Sequence, residues 1–107
     1  MKRYRVEFSD DAKRDLGRSF EWEREKWGSA AALRWYRKLK AQTRETLTHF
    51  PLSQPIAPES EEVSGEIRHM IFGRYRILFE IVDNTVRVLH IRGAFVDNEH
   101  IDLGVDE

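Results

Sequence analysis

The sequence predicts an α+β fold in the order β-α-α-β-β-β, with a helical hairpin packed on one face of a small antiparallel sheet. Two apolar stripes with helical spacing lie in the first half of the chain. A proline-containing loop follows at residues 51–64, and three alternating segments joined by two-residue turns occupy residues 67–92. Because a sheet must bury its apolar face against a second layer, the hairpin is expected to cover it.

The first half of the chain is predicted to hold one strand and two helices. Residues 3–8 alternate as a short strand does. Ser9 is expected to cap a helix that stops at Gly28, and Ser29 to cap a second helix that Pro51 ends. The two stripes comprise Phe8, Ala12, Leu16 and Phe20, then Ala32, Tyr36, Leu39, Thr43, Leu47 and Phe50.

The register of the three later strands follows from their turns. Gly73-Arg74 is predicted to form a type II′ turn and Asp83-Asn84 a type I′ turn. Two-residue turns make the flanking residues directly opposed, and the pairing is expected to continue without a slip. The face assigned to the helices carries Met70, Phe72, Tyr75, Ile77, Phe79, Ile81, Val86 and Val88.

The opposite face of the sheet is expected to be open. It is half polar, and it carries His69, Arg76, Leu78, Glu80, Arg87, Leu89 and Ile91. Alternation assigns His90 and Arg92 to the edge of the helix-covered face instead.

Charge is segregated along the chain, although the net charge is only −1. Residues 59–66 carry four acids and no base, and residues 93–107 carry five acids and no base. The segments 28–58 and 67–92 each carry five Arg or Lys residues. Such asymmetry bears on binding partners rather than on the fold.

Several classes of protein are excluded by composition. The chain has no cysteine, so neither disulfides nor thiolate chemistry is expected. No run of 18 apolar residues occurs, which argues against a membrane span. The four histidines are too scattered for a metal site, and there is no glycine-rich phosphate loop. We expect no metal, no cofactor and a cytoplasmic location.

His69 and Arg76 are the candidate catalytic residues. They lie on neighbouring strands of the predicted open face. Histidine can move a proton near neutral pH and arginine can grip a phosphate with two nitrogens, so together they could orient an RNA 2′-hydroxyl and stabilise the developing charge. The alternative is a solvated sheet face. Glu80 and Arg87 are directly opposed and are predicted to form a cross-strand ion pair.

The second helix is rich in cations around an indole. Its segment LRWYRKLKAQTR contains Trp35 with Arg34, Arg37 and Lys38. This pattern fits nucleic-acid contact, a protein-binding face or simply a solvated helix surface. A two-helix hairpin cannot easily bury all three tryptophans of the chain, so some are expected to be exposed.

The order of these elements resembles the RelE/ParE family of toxins from type II toxin–antitoxin modules. The resemblance covers residues 3–92 and is most specific in YRVEFSDDAKRDL and in GRYRILFEI…VRVLHI. It implies one toxin domain at residues 1–96, followed by an acidic tail at 97–107 that we expect to fray. The family fold is a small antiparallel sheet with a helical hairpin on one face.

The resemblance also implies partners and activities. Family members are held inactive by an antitoxin whose C-terminal segment wraps the toxin. RelE-like members cut mRNA on the ribosome with basic residues of the open sheet face, and Arg76 matches their phosphate-contacting arginine, with His69 near a second basic position. ParE-like members poison DNA gyrase and have no established catalytic residues.

The segment after the last strand favours the ParE-like branch. In nucleases a further Arg or Lys and then a Tyr or His usually follow, whereas GAFVDNEH here has no base before His100 and no tyrosine. We therefore expect a ParE-like toxin, similar to plasmid-stabilisation proteins, that acts by protein binding, with DNA gyrase as the candidate target and a cognate antitoxin as partner. The expected partner-binding residues are Trp35, Arg34, Arg37, Lys38, Arg76, Leu78, Arg87, Leu89 and Ile91.

Two alternatives stay open. The first is a RelE-like endoribonuclease that uses His69 and Arg76 on ribosome-bound mRNA. The second is a degenerate, non-toxic family member that still binds its antitoxin. Only the first of these readings makes the protein an enzyme.

Overall fold

A computed structural model describes residues 2–62 and 65–93. The predicted α+β class and element order are confirmed. The elements are β1 (Arg5–Phe8), α1 (Asp10–Trp27), α2 (Ser29–His49), two 3₁₀ helices (Pro51–Ser53 and Pro58–Glu62), β2 (Arg68–Phe72), β3 (Tyr75–Val82) and β4 (Thr85–Arg92). Residues 94–107, which include the expected acidic tail, lie outside the described residues.

The sheet has the strand order β1-β4-β3-β2. The strands β2, β3 and β4 pair antiparallel, as predicted. β1 pairs with β4 in parallel, so the sheet as a whole is mixed. This pairing joins the two ends of the described chain and places β1 at one edge of the sheet, next to the helical hairpin.

The hairpin turns at a single glycine. Ser9 caps α1 as predicted, because its Oγ accepts a hydrogen bond from the Ala12 N–H at 3.0 Å. Gly28 has φ 90° and ψ 164° and donates its N–H to the Arg24 carbonyl at 2.9 Å. The same glycine is the N-cap of α2, so the predicted capping role of Ser29 is wrong: a one-residue link makes Ser29 the first helical residue.

Both strand turns have a positive φ at their first residue and not at their second. Gly73 has φ 60°, as the predicted type II′ turn requires. Asp83 also has a positive φ, 57°, but Asn84 does not, so the predicted type I′ turn is wrong, since that turn needs both. The Asn84 carbonyl instead accepts a hydrogen bond from the Arg5 N–H at 2.9 Å, which ties the turn to β1.

The register slips once, at a β-bulge in β4. Pairing follows the predicted register from the turn as far as Phe79 opposite Val88. The next pair is Leu78 with His90, so Leu89 is the extra residue of the bulge. An inserted residue reverses the alternation of every side chain beyond it.

The bulge corrects two face assignments. Ile91, predicted on the open face, is 2% exposed and belongs to the core beneath the helices. Arg92, predicted on the helix-covered face, lies directly opposite Arg76. His90 pairs with Leu78, but its ring lies 3.0 Å from Asp15 of α1, so its side chain contacts the helical layer at the edge of the sheet.

Helix α1 holds the bulge in place. The Ser9 hydroxyl donates to the Leu89 carbonyl at 3.0 Å. The Asp15 carboxylate accepts the buried Ile91 N–H at 3.0 Å and lies 3.0 Å from His90 Nδ1. These contacts satisfy backbone groups at the edge of β4 beyond the end of β1, where none of the described strands pairs with it.

The core lies between the hairpin and the predicted apolar face. Both helical stripes contribute to it, although Phe50 at the end of the second stripe is 52% exposed. The buried cluster comprises Val6, Ala12, Leu16, Leu39, Leu47, Met70, Tyr75, Ile77, Phe79, Val86, Val88 and Ile91.

The face predicted to be open is partly covered. The loop predicted at 51–64 contains two 3₁₀ helices, and Ile56 forms a β-bridge with Arg68 along the free edge of β2. This docking brings the second 3₁₀ helix (Pro58–Glu62) over the sheet. Leu78, on that face, is only 2% exposed.

Candidate functional site

Four side chains form a cluster on the sheet face opposite the helical hairpin, beneath the second 3₁₀ helix: Arg76, Arg92, His69 and Glu59. Arg76 on β3 and Arg92 on β4 are directly opposed. Two like charges at such a position repel each other. The arrangement therefore needs an anion between the two guanidinium groups, and Glu59 from the second 3₁₀ helix supplies it.

Glu59 grips Arg76 with both carboxylate oxygens. Arg76 Nη1 donates to Oε1 at 3.2 Å and Nη2 donates to Oε2 at 2.5 Å. Parallel paired bonds of this kind are the strongest geometry that arginine makes with an oxyanion. The bonds from Arg76 lower the pKa of Glu59, which therefore stays ionised at neutral pH.

Arg92 is held less completely. Its Nε lies 3.6 Å from Glu59 Oε2, an ion pair too long for a hydrogen bond. That nitrogen is buried and makes no hydrogen bond with any of the residues that the structure describes. Among the described residues, one donor of the cluster is thus left without a hydrogen bond.

His69 completes the cluster as a neutral ring. Its Nδ1 lies 3.0 Å from Arg76 Nη1. Arginine can only donate, so Nδ1 accepts and the ring proton resides on the other nitrogen. Burial and the positive charge of Arg76 lower the pKa of His69, against the opposing effect of Glu59.

The cluster is chemically an oxyanion site that holds an internal carboxylate. Two arginines and a neutral imidazole converge on Glu59. A neutral histidine beside a cation could accept a proton, which is the role that sequence considerations assign to His69. The Glu59 carboxylate lies against both guanidinium groups, 2.5 Å from Arg76 and 3.6 Å from Arg92.

A groove of about 640 Å³ runs between β1 and the two helices. Its floor is apolar, and its walls carry cations that lie over aromatic rings, Lys40 over Tyr36 at 5.3 Å and Arg44 over Phe8 at 5.5 Å. The lining residues are Glu7, Phe8, Lys13, Leu16, Gly17, Tyr36, Lys40 and Arg44.

Comparison with known proteins identifies the family. The family model for the ParE toxin of the type II toxin–antitoxin system parDE matches residues 6–94. The chain belongs to the ParE toxin family. It is thus a toxin of a type II toxin–antitoxin system with the ParE/RelE fold, as its resemblance to that family predicts. Among curated proteins, none matches this sequence.

Two solved structures share the ParE/RelE fold with this chain. A chain from the chromosomal ParDE toxin–antitoxin system of P. aeruginosa superposes with a TM-score of 0.70 at 17% identity, over 84% of this chain and 95% of that one. A chain from the toxin–antitoxin complex RelBE2 of Mycobacterium tuberculosis superposes with a TM-score of 0.63 at 25% identity, over 87% of this chain and 93% of that one.

The other sheet residues expected to bind a partner are dispersed in this ParE-family fold. Arg87 is exposed opposite Glu80, but within residues 2–62 and 65–93 no ion pair joins the two side chains. Leu89 is half-buried at the bulge. Leu78 and Ile91 are buried, so neither is at the surface of this chain.

The helical residues expected to bind a partner divide into two groups. Arg34, Arg37 and Lys38 are exposed on α2. Trp35 instead packs against Tyr75, with ring centroids 5.0 Å apart. Its Nε1 is buried and has no hydrogen-bond partner in the described part of the chain.

Tryptophan exposure follows the sequence expectation in part. Trp27, at the end of α1, is 58% exposed. Trp22 is half-buried, and Lys26 and Arg74 both lie over its ring, at 5.5 and 5.7 Å. Of the three indoles, only Trp27 is a large exposed apolar surface.

Sequence considerations miss two residues of the cluster. Glu59 belongs to the acidic segment 59–66, whose charge is visible in the sequence but whose position over the sheet is not. Arg92 is placed on the wrong face because the bulge is not visible in strand alternation. An acidic run directly before a cation-rich hairpin is the one signal that could have indicated the contact.

Two absences hold for the residues that the structure describes. Within them, no group of three or more histidine, aspartate or glutamate side chains is arranged to hold a metal ion. None of the helices described is both long and apolar enough to cross a bilayer.

Proposed function

We propose that this toxin acts in the cytoplasm by binding a protein target, with DNA gyrase as the first candidate, and that a cognate antitoxin neutralises it. The observation that carries the proposal is the Glu59 carboxylate, which occupies the site where an RNA-cleaving relative would need its phosphate. Both terminal nitrogens of Arg76 donate to Glu59, at 3.2 and 2.5 Å.

The energetics of this site argue against RNA cleavage. An incoming phosphate carries the same sign of charge as Glu59 and must compete for the same nitrogens. Each donor lost from transition-state stabilisation costs about 10²–10³-fold in rate. A nuclease whose principal arginine is engaged by its own carboxylate would therefore be slow.

The groove between β1 and the helices supports an antitoxin of acidic, amphipathic character. Its apolar floor suits the apolar side of a short helix, and the ammonium and guanidinium groups of Lys13, Lys40 and Arg44 suit carboxylates on the flanks. The structural relatives come from toxin–antitoxin assemblies, which agrees with a partner of this kind.

The outer side of α2 is the candidate surface for the cellular target. Arg34, Arg37 and Lys38 are exposed there, and Trp27 is exposed at the hairpin end. Arginine and tryptophan are over-represented among the residues that dominate binding energy at protein interfaces.

The test compares two assays on toxin freed of its antitoxin. We expect inhibition of gyrase supercoiling and no codon-dependent cuts in mRNA in a translation extract. A triple variant, Arg34→Ala with Arg37→Ala and Lys38→Ala, should lose inhibition. The control removes three exposed charges elsewhere, Lys2→Ala with Arg3→Ala and Arg5→Ala, and should retain it.

The endoribonuclease is the second candidate, because His69 is neutral and contacts Arg76 at 3.0 Å. Cuts in mRNA that disappear in both His69→Ala and Arg76→Ala would establish this activity and reject the protein-binding proposal. Activity in neither assay, together with tight antitoxin binding, would identify a non-toxic family member.

A further inference from the structure

We propose that Arg76, Arg92 and His69 form a binding site for a phosphate group that Glu59 keeps closed, so that the chain inhibits its own oxyanion site. The inference shares one observation with the proposed function, the position of Glu59, but it requires neither gyrase nor any other target.

Within the described residues, the cluster contains a donor that Glu59 does not reach. Both oxygens of the Glu59 carboxylate accept from Arg76, and although each could accept a second hydrogen bond, neither lies close enough to Arg92. The buried Nε of Arg92 makes no hydrogen bond within the described residues and stands 3.6 Å from the nearer Glu59 oxygen. A phosphate group presents three or four oxygens in a tetrahedron, so it could accept from the Arg76 fork and from Arg92 together.

The polarity of the site suits a phosphate rather than a neutral ligand. Two guanidinium groups face one carboxylate, which leaves a local excess of positive charge. His69 is neutral and keeps its ring proton on Nε2, because Nδ1 accepts from Arg76. Arginine binds phosphate with paired hydrogen bonds in the same geometry that it uses for Glu59.

Glu59 can leave without unfolding its helix. The next residue anchors the 3₁₀ helix, since the Ser60 N–H donates to the Ala57 carbonyl at 3.0 Å and the Ser60 hydroxyl accepts the Ile67 N–H at 3.0 Å. The backbone beside Glu59 is therefore tied to Ile67, the residue before β2. A change of side-chain rotamer is enough to move the carboxylate off Arg76.

The occupancy of Glu59 sets the apparent affinity for phosphate. If the site is open less than one-tenth of the time, the apparent affinity is reduced about tenfold or more relative to the empty site. Removing the carboxylate lifts this competition and also removes a charge that repels phosphate.

The test measures binding of inorganic phosphate by calorimetry to the full chain and its variants. Glu59→Gln should bind phosphate at least about tenfold tighter than the unaltered chain. Glu59→Asp, which keeps the charge but shortens the side chain by one methylene, should show a smaller gain. Adding Arg76→Ala to Glu59→Gln should abolish the gain.

The matched control is Glu61→Gln, which removes the same charge from the same 3₁₀ helix at an exposed position. Its phosphate affinity should equal that of the unaltered chain. Thermal unfolding checks that each variant is folded at the temperature of the titration. If Glu59→Gln is unfolded there, the phosphate affinity of Glu59→Asp provides the test in its place.

A second arm replaces inorganic phosphate with a short RNA oligonucleotide, whose phosphodiesters distinguish a nucleic-acid ligand from free phosphate. Tighter binding of either probe by Glu59→Gln supports a phosphate site that Glu59 closes, and the probe with the larger gain indicates whether the ligand is free phosphate or a nucleic acid. Equal affinities in Glu59→Gln and Glu61→Gln for both probes would overturn the proposal. Loss of gyrase inhibition has no bearing on this result, so the two proposals fail separately.

Discussion

At the scale of single residues, two carboxylates connect the sheet to its surroundings. Glu59 holds Arg76 from the 3₁₀ helix, and Asp15 holds the Ile91 N–H from α1. Both are mostly buried, so each must be matched by donors to offset its desolvation. Their partners therefore contribute stability as well as shape.

Replacing Arg76 with alanine should destabilise the fold, contrary to what an open sheet face would imply. The substitution removes both arginine hydrogen bonds from the Glu59 carboxylate, whose side chain is 23% exposed, and leaves its nearest remaining cation, Arg92, at 3.6 Å. We expect a loss of about 1–3 kcal/mol in the free energy of unfolding, measured in urea. The exposed Arg87→Ala should change it by less than about 0.5 kcal/mol.

The titration of His69 should report the same cluster. Burial and Arg76 lower its pKa from 6.5, while Glu59 raises it. In Arg76→Ala the pKa should rise, because the repelling cation is gone. Proton NMR of the ring, assigned with His69→Gln, measures both values, and an unchanged pKa would contradict the contact.

The pH dependence of stability follows from the two lowered pKa values. The unfolded chain binds a proton at His69 more readily than the folded chain does, so stability is present above pH 6.5 and is lost as pH falls through the lower folded pKa. Glu59 repeats the pattern below pH 4.5. When the free energy of unfolding is measured against pH, the decline that begins below pH 6.5 should be absent in His69→Gln.

At the scale of elements, two local features shape the fold: the bulge in β4 and the glycine that links the two helices. The bulge at Leu89 is held by contacts from Ser9, the N-cap of α1, and from Asp15 within that helix. Gly28 joins two helices through one backbone conformation that side chains disfavour.

Asp15→Ala should weaken the docking of α1 on β4. It removes the acceptor for the buried Ile91 N–H, and an unsatisfied buried donor costs about 1–3 kcal/mol. Hydrogen exchange at that amide should accelerate. Asp11→Ala, an exposed acid in the first turn of the same helix, serves as the control and should leave the exchange rate at Ile91 unchanged.

The two glycines of α1 and its turn should respond in opposite directions to alanine. Gly28 has φ 90°, so Gly28→Ala introduces strain of about 1–3 kcal/mol. Gly17 is helical, and a Cβ there meets no atom within 4 Å, so Gly17→Ala should stabilise by about 0.5–1 kcal/mol. Melting temperatures that move in the same direction would contradict this assignment.

At the scale of the whole molecule, part of the charge segregation is internal. The segment 59–66 contributes Glu59 to Arg76 and Glu66 to Arg68, the latter at 2.9 Å. Its acids thus neutralise cations of the neighbouring strands. The cations of the groove and of α2 remain as the surface available to an acidic partner.

Association with the antitoxin should therefore depend on salt through the helical side of the toxin. The double variant Lys13→Ala with Lys40→Ala should slow association several-fold at low ionic strength. The difference should shrink above about 0.5 M salt, because screening shortens the range of the interaction to a few ångströms. Stopped-flow rates compared with those of Lys2→Ala plus Arg3→Ala, two exposed cations outside the groove, test this. A salt-independent rate would remove electrostatic steering.

The sequence by itself determined the elements whose signals are local. Caps and glycines delimit α1, and period-two alternation identifies the core face of the strands up to Val88, because neighbours a few residues apart specify both. Family membership also followed from the order of these elements. The sequence named His69 and Arg76 as neighbours on one face, which the structure places 3.0 Å apart.

Only the tertiary structure decided the bulge, the pairing of β1 with β4 and the closing of the sheet face. The bulge depends on Ser9 and Asp15, which lie about eighty residues from the strand that they hold. Glu59 reaches Arg76 only because the 51–62 segment docks on β2. Strand alternation reflects only neighbours along the chain, so it cannot predict contacts between such distant segments. The placement of Glu59 against Arg76 is therefore decided by how the layers pack.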